Sequence, residues 1–390
     1  MAAADGYDGA VALAEFQAAR AGVRGLVESG ITSVPPLFLT SEPRTSSPSP
    51  PPVENEILFT IPSVDLALPP SSTLPLIRAA ARSCGFFHVT NHGVDAAAVD
   101  SAVSAVRAFH ELPLAVRSAF YTPASVGSVT YSTIPIQPGK NSAGPLLPWR
   151  DTLQVRFGPP PAPDLAHLPP ACRDALLKYQ LLTTELGKKM AGLLSEALGV
   201  GAGRLERAMQ VEGFLMACHY YPPCPEPARV VGSLEHTDPS LFTVLAQDGV
   251  GGLQVRLHDG RWADVPPVPG ALLVNIGDVL KVRCASSSVD VNCYQSTTTM
   301  IYLRMARKFR WSQMMSTRAW RSGQDARVSI ALFFNPAKRQ ESDLFGPLPE
   351  LLTAGKQQRY RAFTVTEFMN SRREHGHGTK CIDQFRIAHE

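Results

Sequence analysis

From Val211 onward the chain is built of short apolar runs cut by glycine and proline: FLMACHYY, SLFTVLAQ, GLQVRL, RWADVPP, ALLVNIGD and ARVSIALFF. Each run is shorter than an ordinary helix, rich in branched and aromatic residues, and bounded by turn formers, so each reads as a strand. A series of short strands at regular spacing can bury its faces only by packing sheet on sheet or by closing into a barrel. This pattern predicts a sandwich or barrel for the second half of the chain.

The first half reads differently. In residues 166–210, Leu176, Tyr179, Leu182, Leu186, Met190, Leu193 and Ala197 recur at spacings of three and four, the stripe of a long core-packing helix. Helices are also predicted over residues 71–84, with Ser71 or Ser72 as N-cap, and over residues 95–109. Residues 57–68 read as an entry strand, and GFFHVTNHG as a buried strand closed by a turn. Residues 9–29 could form a short amphipathic helix. The proline- and serine-rich stretch over residues 32–55 reads as a linker, which makes residues 1–56 a flexible extension. Residues 57–165 then form an N-terminal region, 211–338 the β-rich domain, and 339–390 a helical and polar tail.

Several function classes drop out early. The 37 basic and 34 acidic residues leave a formal charge of +3, dispersed along the chain, so neither nucleic acid nor an anionic membrane is an expected partner. The longest apolar runs fall well short of the roughly 20 residues that span a bilayer. Seven scattered cysteines with no C-x-x-C pair suggest neither a disulfide framework nor a zinc ribbon. The N-terminal residues lack a signal or transit pattern. We expect a cytoplasmic monomer acting on a small molecule.

Three groups of residues could do chemistry. His236 and Asp238, two apart, would share one face if they lay on a strand and could offer an imidazole and a carboxylate to one cation. Such a pair with a second, distant histidine is the facial triad of non-haem Fe(II) oxygenases. A turn histidine beside an N-capping aspartate would read the same. Arg327 and Ser329 likewise share a strand face, where a guanidinium fork and a hydroxyl would clamp a small dicarboxylate; a strand-edge arginine in a surface ion pair is the alternative. Tyr221 ends a strand before a proline turn, placing its hydroxyl within reach of an anion or, alternatively, its ring in the core.

Taken in order, GFFHVTNHGV, WRDTLQVRF, HYYPPCPEP, EHTDPSLFTVLAQDGVGGLQV, ALLVNIGD and ARVSIALFFNP resemble plant 2-oxoglutarate/Fe(II)-dependent dioxygenases over about residues 57–368. WRDTL points to the ACC-oxidase-homolog branch. The resemblance implies a mixed α/β (α+β) fold, with a double-stranded β-helix (jelly-roll) core and an N-terminal helical scaffold. It implies Fe(II) held by His236 and Asp238, and 2-oxoglutarate held by Arg327, Ser329 and Tyr221. It further implies O2 as oxidant and hydroxylation of a small organic substrate as the default reaction. An ACC-oxidase-type enzyme using ascorbate instead of 2-oxoglutarate would carry the same Arg-x-Ser clamp. His219 stands where the family usually has asparagine.

One family feature is missing. The third iron ligand is a histidine ten residues before the clamp arginine, and that position here is Thr317. Between Asp238 and Arg327 the one histidine is His258, which reads as a solvated hairpin residue. His375 and His377 lie in the polar tail. Residues 282–313 also look foreign, without clear strand periodicity, and we read them as a retained intron. Their first codons can match a splice donor and Gln313 an acceptor. Iron held by two protein donors binds more weakly than iron held by three, so impaired activity is expected. A catalytically inactive protein that keeps a 2-oxoglutarate-like pocket is the alternative.

Overall fold

The structure is a computed structural model that describes residues 7–40, 60–83, 85–122, 127–133, 139–141, 144–158, 164–209, 213–257, 261–284, 301–304, 325–336, 343–352, 358–375 and 380–387. The chain opens with α1 (Gly9–Ala18) and α2 (Gly22–Glu28), then β1 (Ser63–Asp65), α3 (Pro70–Ser83), β2 (Phe86–Thr90), α4 (Ala96–His110) and α5 (Leu114–Arg117). Next come β3 (Val129–Ser132), the hairpin of β4 (Gly139–Asn141) and β5 (Gly144–Leu146), β6 (Asp151–Arg156), the long α6 (Arg173–Ala197) and α7 (Arg204–Met209). The strand-rich half holds β7 (Gly213–Tyr221), β8 (Val231–His236), β9 (Phe242–Gln247), β10 (Leu253–Arg256), β11 (Trp262–Asp264) and β12 (Leu272–Ile276). After α8 (Asp278–Cys284) follow β13 (Ile301–Arg304), β14 (Arg327–Asn335), the pair β15 (Leu344–Phe345) and β16 (Phe363–Thr364), α9 (Val365–His375) and α10 (Lys380–Asp383).

An eight-stranded sheet runs β1-β2-β12-β9-β14-β7-β6-β3, and a four-stranded sheet runs β11-β10-β13-β8. The first is antiparallel except where β1 joins β2. Strands from both halves of the sequence share it, because β2 pairs with β12 and β6 with β7. The segments expected as separate regions are therefore stretches of one fold.

Period-two alternation divides the large sheet. Val328, Ile330, Leu332 and Phe334 of β14, Met216, Cys218 and Tyr220 of β7, and Phe242, Val244 and Ala246 of β9 turn to one side. There they join Ile77, Val106, Leu176, Tyr179 and Met190 of α3, α4 and α6 in the main core. The opposite face carries Arg327, Ser329, His219, Tyr221, Thr243, Gln247 and Asn275. Fully burying one large apolar side chain stabilises by roughly 1.5–3 kcal/mol, so the helix-facing stripe fixes register and thereby the polar face.

Several expectations need correction. The N-terminal residues 7–40 are folded: α1 and α2 are separate helices, broken where Arg20 and Gly22 take positive φ. Phe16, Val23, Leu37 and Phe38 are buried, with Phe38 edge-on to Trp149. Asp151 anchors this segment by accepting from Val23 N and Arg24 N at 2.8 Å each, and from the Thr133 hydroxyl. The rest of the expected linker, residues 41–56, lies outside the described residues. Helix α3 starts at Pro70, so Ser71 and Ser72 sit inside its first turn. The C-terminal region is more than a polar tail, since Phe363, Phe368, Cys381, Ile382 and Phe385 are buried. Of the supposed intron, Val282 ends up in the core within α8, and β13 fills the position between β10 and β8. The described remainder of residues 282–313 is confined to these two elements.

Helix α6 carries an internal control on packing. A Cβ at Gly187 would overlap the Phe334 ring, which is itself stacked on Phe242 at 4.6 Å, whereas Gly192 faces open space. Alanine in a helix gains about 1 kcal/mol over glycine, but overpacking a tight core costs typically 1–3 kcal/mol. Urea unfolding should therefore show Gly187→Ala destabilised by up to about 2 kcal/mol and Gly192→Ala stabilised by up to about 1 kcal/mol.

Candidate active site

His236 is the last residue of β8, while Asp238 lies beyond the strand in the turn to β9. Strand alternation therefore does not bring them together, as the sequence suggested; the turn does. His236 Nε2 stands 3.7 Å from Asp238 Oδ1. Each side chain is oriented by its other polar atom. His236 Nδ1 lies 2.8 Å from the Leu234 carbonyl, a contact in which Nδ1 donates and leaves Nε2 its lone pair. Asp238 Oδ2 accepts from the Thr243 hydroxyl at 2.7 Å and from Asn275 Nδ2 at 2.6 Å, which leaves Oδ1 available beside the imidazole. Burial pushes the His236 imidazole below its ordinary pKa, an effect opposed by the Asp238 charge. A neutral imidazole and a carboxylate oxygen facing one point form two donors for a hard or borderline cation.

The turn is held from behind by residues the sequence did not single out. Gly277 N donates to Leu241 O at 2.7 Å, Asp278 N to Asp238 O at 2.9 Å and Val279 N to Ser240 O at 3.2 Å. A Cβ at Gly277 would overlap the Ser240 carbonyl, so this approach requires glycine. Between the two donors, Thr237 donates from its hydroxyl to Asp278 Oδ2 at 2.7 Å. From α9, Arg372 Nη2 donates to the Thr237 carbonyl at 2.9 Å, and its Nη1 lies 3.5 Å from Asp278 Oδ2. Arg372 and Asp278 are both buried. Desolvation raises the Asp278 pKa, and the charges of Arg372 and Lys281 oppose that rise. Nothing in the period or composition of residues 363–390 marks Arg372; only the folded chain brings it to the turn.

The clamp residues do converge. Arg327 pairs with Tyr221 across β14 and β7, and Ser329 with His219. Arg327 Nη1 donates to the Ser329 hydroxyl at 2.9 Å and Nη2 to Gln247 Oε1 at 2.9 Å. The guanidinium carbon sits 5.0 Å from the Tyr221 ring centre. Arg327 Nε is buried without a partner. A guanidinium held flat by an aromatic face and two side chains, with donor capacity unspent, suits a carboxylate. Gln247 is a contact that sequence reasoning missed. His219, the departure from asparagine, lies beside Tyr221 with ring centres 6.0 Å apart, and its Nδ1 is 3.0 Å from the Thr152 hydroxyl. Burial, reinforced by the charges of Arg150 and Arg327, holds His219 well below its ordinary pKa and neutral.

The two-donor dyad and the clamp thus fit Fe(II) and 2-oxoglutarate respectively. No cluster of three His, Cys, Asp or Glu suited to a metal occurs among the described residues. Thr317, His258 and His377 lie outside those residues, and the side chain of His375 is not described. No helix among the described residues is long and apolar enough to cross a membrane.

Comparison with known proteins identifies the family. Residues 213–297 match the 2OG-Fe(II) oxygenase superfamily, and residues 61–171 match the N-terminal region of a non-haem dioxygenase of morphine synthesis. The chain is 33% identical over 376 residues to 1-aminocyclopropane-1-carboxylate oxidase homolog 1 of Arabidopsis thaliana, covering 95% of this chain and 94% of the relative. It is 33% identical over 390 residues to the homolog from Solanum lycopersicum, covering 98% of each. Among solved structures, JOX2 in complex with 2OG, Fe and JA superposes with a TM-score of 0.74 at 25% identity, over 94% of this chain and 98% of that one.

Removing Arg372 leaves the buried Asp278 with only the Thr237 hydroxyl and the charge of Lys281 against it among the described residues. Breaking a buried pair by deleting one partner costs about 3–5 kcal/mol, and loss of an outer-sphere support lowers metal affinity roughly 10–100-fold. Arg372→Met should therefore lower both the melting temperature and Co(II) affinity by titration, and Arg372→Met with Asp278→Asn should recover stability. Unchanged Co(II) affinity in a folded Arg372→Met protein would contradict this support.

Proposed function

Because the chain belongs to the 2OG-Fe(II) oxygenase superfamily, we propose that it oxidises a small plant metabolite using Fe(II), 2-oxoglutarate and O2. The carrying observation is that His236 Nε2 and Asp238 Oδ1 meet at a turn that Thr243 and Asn275 tie to the polar face of the large sheet, the face that also carries the Arg327–Ser329–Tyr221 clamp. When bound, the metal and co-substrate supply the oxidising power, through decarboxylation of 2-oxoglutarate to succinate. The chain's own residues do the positioning. Arg327 and Ser329 bind the distal carboxylate, and Tyr221 keeps the guanidinium planar to it. His236 and Asp238 hold the metal, with Thr243 and Asn275 fixing which carboxylate oxygen faces it. Such fixed donors need little reorganisation during reaction.

Because the sequence has threonine at position 317, ten residues before Arg327, where the family pattern has a histidine, the metal would have one protein donor fewer than that pattern. Affinity for iron, and with it turnover, is lower as a result. A second reading, a binding protein that retains the co-substrate pocket without turnover, draws on the lack of a third donor among the described residues. Cys172, Cys218, Cys224 and Cys381 are free thiols, which suits a reducing compartment such as the cytosol.

Anaerobic addition of 2-oxoglutarate to the Fe(II)-loaded protein should give a metal-to-ligand charge-transfer band. It should vanish in His236→Ala and weaken at least about tenfold in apparent affinity in Arg327→Ala, as a lost charged hydrogen bond implies. A folded protein with no band fails this reading. A band without succinate formation in air favours the non-catalytic one, and turnover on ascorbate without 2-oxoglutarate favours an ACC-oxidase-type reaction.

A further inference from the structure

We propose that Arg150 binds the carboxylate of a monoanionic substrate, so that this chain acts on small organic acids. The proposal rests on the oxygenase reading above and adds the substrate's chemical class.

The backbone on both sides of Arg150 is firmly held. Its neighbours are both fully buried. Trp149 donates from its backbone to Val231 O at 2.7 Å and from its indole to Pro222 O at 3.2 Å, and Asp151 caps the N-terminal segment. The side chain between them reaches the small sheet, where Nη1 donates to the Ser233 hydroxyl at 3.3 Å. The pairing of β8 with β13 is irregular: Ile301 lies opposite His236 and Leu303 opposite Ser233, so three steps on β8 match two on β13. This bulge brings Ser233 to the side that His236 faces. Arg150 therefore lies near the dyad, and its charge acts on both His236 and His219.

Arg150 is also unspent. Among the described residues no carboxylate lies within ion-pair distance of it, whereas Arg372 faces Asp278 and Arg107 faces Asp248. Charge then selects the ligand. The two positive charges of Fe(II) match the two carboxylates of 2-oxoglutarate, and Arg327 matches Asp238. One half-buried guanidinium is left over, beside the donors, and a partly desolvated cation favours an anion that can take a forked pair of hydrogen bonds. Ser233, whose hydroxyl accepts from Nη1 and donates to the Leu234 carbonyl, fixes the guanidinium and leaves its other N–H groups for a forked pair, so the fit is to a carboxylate rather than to a neutral alcohol or ring.

The test uses the full chain with Mn(II) and N-oxalylglycine, an unreactive stand-in for the co-substrate, read by thermal shift. Aryl, alkyl and terpenoid monocarboxylates are compared with their methyl esters. Acids should stabilise the wild-type protein and their esters should not. Arg150→Leu should weaken the best acid roughly 10–100-fold, and Arg150→Lys should restore part of that affinity. Stabilisation by esters equal to that by acids, unchanged acid affinity in Arg150→Leu, or no acid binding while N-oxalylglycine still binds, each overturns the proposal. The first and last comparisons need no variant, so misfolding of Arg150→Leu leaves the proposal testable. Loss of the N-oxalylglycine response in Arg150→Leu assigns Arg150 to the co-substrate instead. Failure of the wild-type protein to respond to N-oxalylglycine at all identifies failure of the oxygenase reading itself.

Discussion

The site depends on the two-residue period of the central strands. In β7, β9, β12 and β14 every second side chain is committed to the core beneath α3, α4 and α6. The intervening ones are left to face the other way. Those intervening residues include Arg327, Ser329, His219, Tyr221, Gln247, Thr243 and Asn275, drawn from four strands far apart in sequence. A one-residue slip in any strand would send its polar set into the apolar core, where an unpaired amide or hydroxyl costs about 1–3 kcal/mol and a charge far more. Hydrophobic burial on one face thus specifies the chemistry of the other.

The donors themselves obey a different rule. His236 and Asp238 lie at and beyond a strand end, and their convergence is a property of a turn that touches a second turn. Three backbone hydrogen bonds, the close approach at Gly277 and the buried Arg372–Asp278 contact hold that turn. The arrangement separates stability from tuning. The sheet is over-determined by many burial contacts, while donor orientation rests on a few polar partners, each of which acts on a named atom.

Much of this was legible from the sequence, and the failures have physical causes. The strands of the second half, the stripe of α6 and the facing of Arg327 with Ser329 follow from local periodicity, which the sequence displays directly. The sharing of one sheet by β2, β6, β7 and β12 follows from long-range pairing, which no local pattern encodes. Residues 7–40 misread as flexible because their anchors, Asp151 and Trp149, lie over a hundred residues away. β13 went unseen because four residues carry too little alternation to register. Arg372 sits in a stretch whose composition is that of a solvated surface. Gln247 and Ser233 gain meaning only from the arginines that fold back on them.

The position of Arg372 after every strand of both sheets bears on how the site is assembled. Thr237, flanked by the two donors, accepts its backbone hydrogen bond from α9, which follows every strand of both sheets. While that helix is still emerging from the ribosome, the turn lacks its support and Asp278 its partner. Full orientation of the two donors therefore waits on a helix that follows every strand of both sheets. A chain truncated before α9 would keep every strand of both sheets and still present its two donors on an unsupported loop.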